Sequence, residues 1–238
     1  MKVSVVIPTL NEQALIGPML ERSVAELAAL GLAGNYEIVV VDNASTDRSA
    51  AIVKDFASTH PEVSLVVHTR NLGYAASNLT GFHSARGDVV VVVDGDGQLT
   101  LRDLAAFLDR IAEGADVVYG WRRRRRDPAM RVVISFFLNA LSRLWLGWPH
   151  HDINCGYRAV TRRVAEAVTA ARPCNFFGPE LWVRARQHGW RVAEVEVEHF
   201  PREGGQSIHA LSRLPRSIWA GVSYMWSLRQ ELRGTGRG

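Results

Sequence analysis

Five consecutive valines, Val89 to Val93, run straight into Asp94-Gly95-Asp96-Gly97. An unbroken β-branched run of this length, bounded by turn residues, reads as a strand covered on both faces. Strands of that kind belong to parallel sheets with helices packed on either side. The run therefore points to an α/β fold, which the order of the remaining elements must support. What needs explaining is why two carboxylates, one residue apart, sit at the end of the most apolar strand.

The rest of the first half agrees with a parallel sheet. Short Val/Ile-rich runs at Lys2–Ile7, Glu37–Val41, Ser64–His68, Asp88–Val93 and Asp116–Tyr119 read as strands. Helical stretches fall between them at Gln13–Leu30, Asp47–Ser58, Tyr74–Ala85 and Leu101–Glu113, with Thr46 and Thr100 as candidate N-caps. Pro18 sits awkwardly in the first helix. The second half reads as helices at Ala129–Leu146, Gly178–His188 and Ser207–Arg233, with a strand at Arg191–Val197. Pro215 is expected to kink or split the last helix.

Ligands of open α/β sheets bind beyond the C-terminal strand ends, and the polar residues gather there. Pro8 to Glu12 follow the first strand and Asp42 to Asp47 the second. Arg70 to Gly73, with Asn71, follow the third, and Asp94 and Asp96 the fourth. In extended backbone, residues two apart point the same way, so Asp94 and Asp96 would crowd two negative charges together. A hard divalent cation, Mg²⁺ or Mn²⁺, relieves that repulsion while sharing phosphate oxygens of a substrate. Neither a Gly-x-Gly-x-x-Gly after the first strand nor a P-loop is present.

The ordered pieces VVIPTLNE, VVVDNASTDRS, RNLGYAASNLTGF, VVVDGDGQ, DVVYGWRRRRRDPAMR, HDINCGYRAVTR and PREGGQS span Val5 to Ser207. In that order they resemble a family-2 glycosyltransferase with the GT-A fold, closest in pattern to dolichol-phosphate mannose synthases and polyprenyl-phosphate sugar transferases. The resemblance implies a GT-A domain over residues 1–206 and a helical extension over 207–233. It implies an inverting hexosyl transfer from a GDP- or UDP-sugar to a polyprenyl phosphate. Pro8, Glu12, Asp42, Asn71, Gly73, Asp94, Arg202 and Ser207 would hold the donor. Asp94, Asp96 and Gln98 would hold the metal. Arg122 and Arg131 would face the acceptor phosphate, and Asp152 would lie near the sugar and acceptor. The chain departs from the family pattern at Asn43, where a second acid is usual, and at Gly95, where alanine is usual.

An acceptor phosphate is already anionic and needs guanidinium groups, whereas an acceptor hydroxyl needs a general base, for which Asp152 is the candidate. Transfer to a hydroxyl of a soluble, natural-product or cell-envelope acceptor is thus the first alternative, and a non-catalytic nucleotide- or anion-binding module the second. Arg123 to Arg126 read as a solvated loop or as contacts to anionic lipid headgroups. Nucleic acid is not expected, since no interleaved aromatics or binding motif accompany the run. Ala129–Leu146 and Ser207–Arg233 combine apolar surface with Arg and Trp, as interfacial segments do, or else pack on a core or dimer partner.

The 238 residues, 47% of them apolar, suffice for one large domain, and the net charge is only +4. Two distantly spaced cysteines exclude a disulfide scaffold or a zinc motif and suggest a reducing cytoplasm. The N-terminal MKVSVVIPTL reads as a first strand rather than a leader, and no apolar window reaches ~18 residues, so no membrane span is expected. Peripheral contact with the inner face of a cell membrane is the location these features suggest. His199 or His209 is a candidate further metal ligand, and Cys155 a small buried residue.

Overall fold

The computed structural model describes residues 1–126, 129–169, 177–202 and 214–234, with the side chains of 129–131, 214–220 and 234 outside the description. A seven-stranded sheet runs through the molecule. Its strands are β1 (Val3–Thr9), β2 (Tyr36–Asp42), β3 (Val63–Val67), β4 (Val89–Val92), β5 (Val117–Trp121), β6 (Arg158–Thr161) and β7 (Val192–Glu196). They lie in the order β3-β2-β1-β4-β6-β5-β7.

The valine run explains itself at this point. Val90 and Val92 enter one hydrophobic core, with Phe82, Tyr119 and Phe177. Val89, Val91 and Val93 enter the other, with Leu20, Phe107 and Tyr157. A strand with a core on each face has no polar side, so its sequence does not alternate. Burying each valine is worth about 1.5–3 kcal/mol relative to exposure.

Helices fill both layers: α1 (Ile16–Ala29), α2 (Ser49–Ala57), α3 (Tyr74–Ser84), α4 (Leu104–Ala112), α5 (Ala129–Leu146), α6 (Arg162–Ala167), α7 (Phe177–His188) and α8 (Leu214–Gly234). Helix α1 starts three residues later than its sequence suggests. The chain first turns, with the Glu12 carbonyl accepting the amides of Leu15 and Ile16. Pro18 therefore falls in the first turn, where its missing N–H breaks no bond. The expected effect of Pro215 concerns the segment entering α8, and residues 203–213 before it lie outside the described residues. The expected caps differ as well. Neither α2 nor the short 3₁₀ turn Leu101–Asp103 that leads into α4 has a side-chain cap. Asp47 instead binds the Ser49 amide, and Glu26 Oε2 takes the Leu101 amide.

Two elements were not anticipated. Strand β6 runs antiparallel to both neighbours, pairing Val92 with Arg158 and Val89 with Thr161, and α6 follows it directly. The reversal matters for the site. Parallel strands send their outgoing loops to the crevice, but a reversed strand sends its incoming one. The segment ending in Cys155-Gly156-Tyr157 thus arrives beside Asp94. Helix α8 packs on α5 and α7 through buried Tyr224, Met225 and Leu228. Tyr224 donates to Glu180 Oε2 at 2.6 Å, and Arg184 pairs with Glu231 at 2.7 Å.

Candidate active site

The first strand ends build one wall of the crevice. Pro8 sits in β1, buried and in register with Val41. Asp42 closes β2 at 1% exposure. Its Oδ2 accepts the Ser45 amide at 2.9 Å, while its buried Oδ1 has no partner among the described residues. Asn11 and Ala44 adopt left-handed backbone, at φ 56° and 62°. Side chains other than glycine rarely do so without a surrounding structure that forces it. Here Asn11 is clamped to the second loop, donating its amide to Ser45 Oγ and accepting the Thr46 amide.

Asn43, the position where an acid is usual, is held by neighbouring loops. Its Nδ2 donates to Asn71 Oδ1 at 2.9 Å, and its Oδ1 accepts the Leu72 amide at 2.9 Å. The same Oδ1 lies 3.0 Å from His68 Nδ1, and His68 Nε2 lies 2.9 Å from Thr80 Oγ1. Burial holds the His68 pKa below its ordinary value. Asn43 and Asn71 thereby fix the loop leading to Gly73, which starts α3 at φ 89°, a backbone geometry open to glycine.

Asp94 and Asp96 lie at the centre, as the strand-end rule requires. Asp94 Oδ1 accepts the Tyr74 hydroxyl at 2.7 Å. Burial, with Asp94's charge adding, raises the Tyr74 phenol, so it stays a donor. A Cβ on Gly156 would stand 1.8 Å from Asp94 Oδ2. Asp96 Oδ1 accepts the Gln98 amide at 3.1 Å. Burial and then the neighbouring charge of Asp94 push the Asp96 carboxyl up to about 6. Arg202 spans the opening: Nη2 lies 2.6 Å from both Glu12 oxygens, and Nη1 lies 3.8 Å from Asp96 Oδ2. Burial raises the Glu12 pKa, with Arg202 pulling the other way.

The donor set fits a hard divalent cation. Two confined carboxylates, one with its pKa lifted by burial and then by the other's charge, form a site that a cation would relieve. Among the described residues no cluster of three or more His, Cys, Asp or Glu is present, so substrate phosphate and water would complete the shell. Gln98 is at hand, its Nε2 donating to the Phe200 carbonyl at 3.2 Å. His199 Nδ1 accepts the Arg126 amide at 3.2 Å. Ser207 and His209 lie outside the described residues.

Across the crevice, Arg122 grips Asp152 with two prongs, Nε to Oδ2 at 2.8 Å and Nη2 to Oδ1 at 3.1 Å. Burial works to raise the Asp152 pKa, but the charge and hydrogen bonds of Arg122, with Arg125 nearby, bring it below the ordinary aspartate value. Arg125 also donates to Ser135 Oγ on α5, while Arg123 pairs with Glu196 on the surface. Arg131 belongs to the start of α5, its side chain outside the description. Cys155 is buried, its thiol pushed up to about 12 by burial.

Three site residues escaped sequence reasoning: Tyr74, Arg125 and Arg158. An aromatic residue in a first helical turn looks like core, so Tyr74 carried no signal. Arg125 was indistinguishable within its run. Arg158 did carry one, as the basic residue of the DINCGYR stretch within the piece HDINCGYRAVTR. It is 2% exposed, stacked 5.8 Å over Tyr119, with Nε and Nη1 unpartnered among the described residues.

Comparison with known proteins bears on the family and the fold. A transferase named for undecaprenyl-phosphate and 4-deoxy-4-formamido-L-arabinose, from Pseudomonas paraeruginosa, is 37% identical over 213 residues, covering 89% of this chain and 61% of its own. The Aeromonas hydrophila protein of the same name is 32% identical over 224 residues, 94% of this chain and 67% of its own. The chain thus spans about three fifths to two thirds of the length of these relatives. Two solved structures share the fold. One is a Pyrobaculum calidifontis mannosyltransferase with GDP-Man and Mn²⁺, with a TM-score of 0.66 at 21% identity over 100% of this chain and 76% of that one. The other is Mycobacterium tuberculosis glucosyl-3-phosphoglycerate synthase with Mn²⁺, UDP-glucose and phosphoglyceric acid, at 0.67 and 19% over 96% and 80%. The α/β architecture is that of GT-A enzymes. The family model for glycosyl transferase family 2 matches residues 4–169, well over half of the sequence, and the chain belongs to that family.

Proposed function

We propose that the chain transfers a sugar from a nucleotide sugar to a polyprenyl phosphate at a membrane surface, with inversion and with Mg²⁺ or Mn²⁺. The donor lies along the β1–β4 ends. Glu12, Asp42, Asn71 and Gly73 form the side for base and ribose, and Asp94, Asp96 and Gln98 the side for metal and diphosphate. Breaking the anomeric C–O bond builds negative charge on the departing diphosphate. A bound divalent ion there supplies Lewis-acid stabilisation. Arg202, released from Glu12, adds a second positive charge where that charge develops.

On the acceptor side the residues favour a phosphate. A carboxylate gripped by arginine and held below its ordinary pKa is a poor base, so Asp152 serves better as the anchor that aims Arg122. The guanidinium groups of Arg122 and Arg125, with Arg131, can position an anionic nucleophile that needs no deprotonation.

The observation that carries the lipid reading is helix α5, which is apolar on its outer side as well as its inner one. It packs Leu138 and Leu146 into the core beside buried Ser135, Asn139 and Ser142, yet exposes Val132, Val133, Phe136, Phe137 and Leu144. Arg125 ties the arginine segment to this helix through Ser135. An apolar face beside a cationic one suits a phosphate with a hydrocarbon tail, or a bilayer surface. Among the described residues no helix is long and apolar enough to cross a membrane. The relatives' names carry a five-carbon sugar, so the six-carbon donor first expected widens to include formamido-pentoses.

A transfer assay tests the reading. UDP- and GDP-linked pentoses and hexoses are crossed with undecaprenyl phosphate and with water-soluble hydroxyl acceptors, with Mn²⁺ and then EDTA. Chloroform-extractable product that vanishes with EDTA is expected. Product on hydroxyl acceptors alone, or product indifferent to EDTA, overturns it.

A further inference from the structure

We infer that Tyr74 is a positioning residue for Asp94, fixing that carboxylate for the metal–diphosphate before either ligand arrives. This rests on the reading of Asp94 as part of the metal and donor site. Asp94 follows β4 without regular strand hydrogen bonding to hold it, yet its carboxylate is confined from two sides. The Tyr74 hydroxyl donates to Oδ1 at 2.7 Å. The backbone at Gly156 closes on Oδ2 so tightly that a Cβ there would overlap it. Tyr74 itself is fixed, because it opens α3 directly after the left-handed Gly73 and its carbonyl accepts Asn78 Nδ2 at 2.8 Å. Gly73 in turn is held by Asn71 Oδ1, which accepts its amide at 2.9 Å. A chain of contacts therefore runs from the third strand end, through the first turn of α3, to the carboxylate at the fourth.

A carboxylate free to rotate would have to be ordered when the cation binds. One already held by a hydroxyl and a backbone wall keeps its remaining lone pairs directed into the crevice. Asp96 shows the contrast, since it is held by the Gln98 amide of its own turn and a looser 3.8 Å ion pair to Arg202, with no donor hydroxyl among the described residues.

The test is Tyr74→Phe in the full chain, which removes one oxygen and keeps the ring. Mn²⁺ affinity is measured by calorimetry and by Mn²⁺ electron paramagnetic resonance at saturating UDP, beside wild type and Asp94→Asn. Mn²⁺ binding about tenfold weaker in Tyr74→Phe is expected, with an unchanged far-UV circular dichroism spectrum. The Mn²⁺ concentration for half-maximal transfer should rise in step, with excess Mn²⁺ restoring the rate, which a general loss of packing would not allow. A Tyr74→Phe variant that binds Mn²⁺–UDP as tightly as wild type overturns the inference. Absence of Mn²⁺–UDP binding by wild type, or equal binding by Asp94→Asn, overturns the underlying assignment of Asp94 instead.

Discussion

At the level of single residues, the crevice depends on atoms that are absent as much as on those present. Gly156→Ala places a methyl where Asp94 Oδ2 stands, so the carboxylate must swing away. Transfer activity is expected to fall at least 100-fold while the far-UV spectrum is kept, a loss on the order of 2.7 kcal/mol in transition-state stabilisation. Asp96 makes a second prediction. Its folded pKa, about 6, lies above its ordinary value of 3.8. Between these values the metal-free native state binds more protons than the unfolded chain, so this group's contribution to stability shrinks as pH rises toward 6. Glu12 acts in the same direction. Asp152, held low, gives up its stabilisation only below the ordinary aspartate pKa. Mn²⁺ with UDP, which binds the ionised form, should therefore raise the melting temperature more at pH 7 than at pH 5. Equal increments by calorimetry would contradict the crowded-carboxylate picture. Asp94, Asp96 and Glu12 were legible in the sequence because each follows a recognisable strand. Tyr74 and Arg125 were not, because their roles depend on where a helix start and a loop come to rest in space.

Among the elements, α5 is the one that shows apolar side chains on both faces. Its buried polar side chains are partnered: Asn139 Oδ1 accepts the Ile153 amide, and Ser142 Oγ donates to the Leu138 carbonyl of its own helix and reaches Met225 Sδ of α8. Its bounds were readable from composition, but which face is buried was not, because apolar residues surround most of the helix. A double Phe136→Ser, Phe137→Ser variant changes side chains that are 64% and 65% exposed. Stability should change by less than about 0.5 kcal/mol per site, while co-flotation with anionic phospholipid vesicles is lost. Retained flotation would remove α5 from the membrane proposal. Leu228→Ala in α8 provides the contrast. That side chain is fully buried, and its truncation should cost about 2–5 kcal/mol in a denaturant titration. Strand β6 and helix α6 were missed for a different reason. A four-residue strand that opens on a buried arginine has no apolar run to announce it, and antiparallel insertion between strands of the opposite sense is a tertiary event.

For the molecule as a whole, the alternation of strands and helices in the first half fixed a parallel sheet, and the second half was harder because its elements return to that sheet from far along the chain. The reversed strand has a consequence for how catalysis comes into being. Val89 to Val92 lie next to β1, but their other edge waits for residues 158–161, synthesised much later. Contacts so distant in sequence form slowly, since a long loop must close before they are rewarded. Until that closure Asp94 has neither its backbone wall nor the Arg122–Asp152 pair opposite. A nascent chain that already holds the strand-end residues from Glu12 to Gln98 would still be inert, and turnover itself would mark the moment at which the centre of the sheet zips shut.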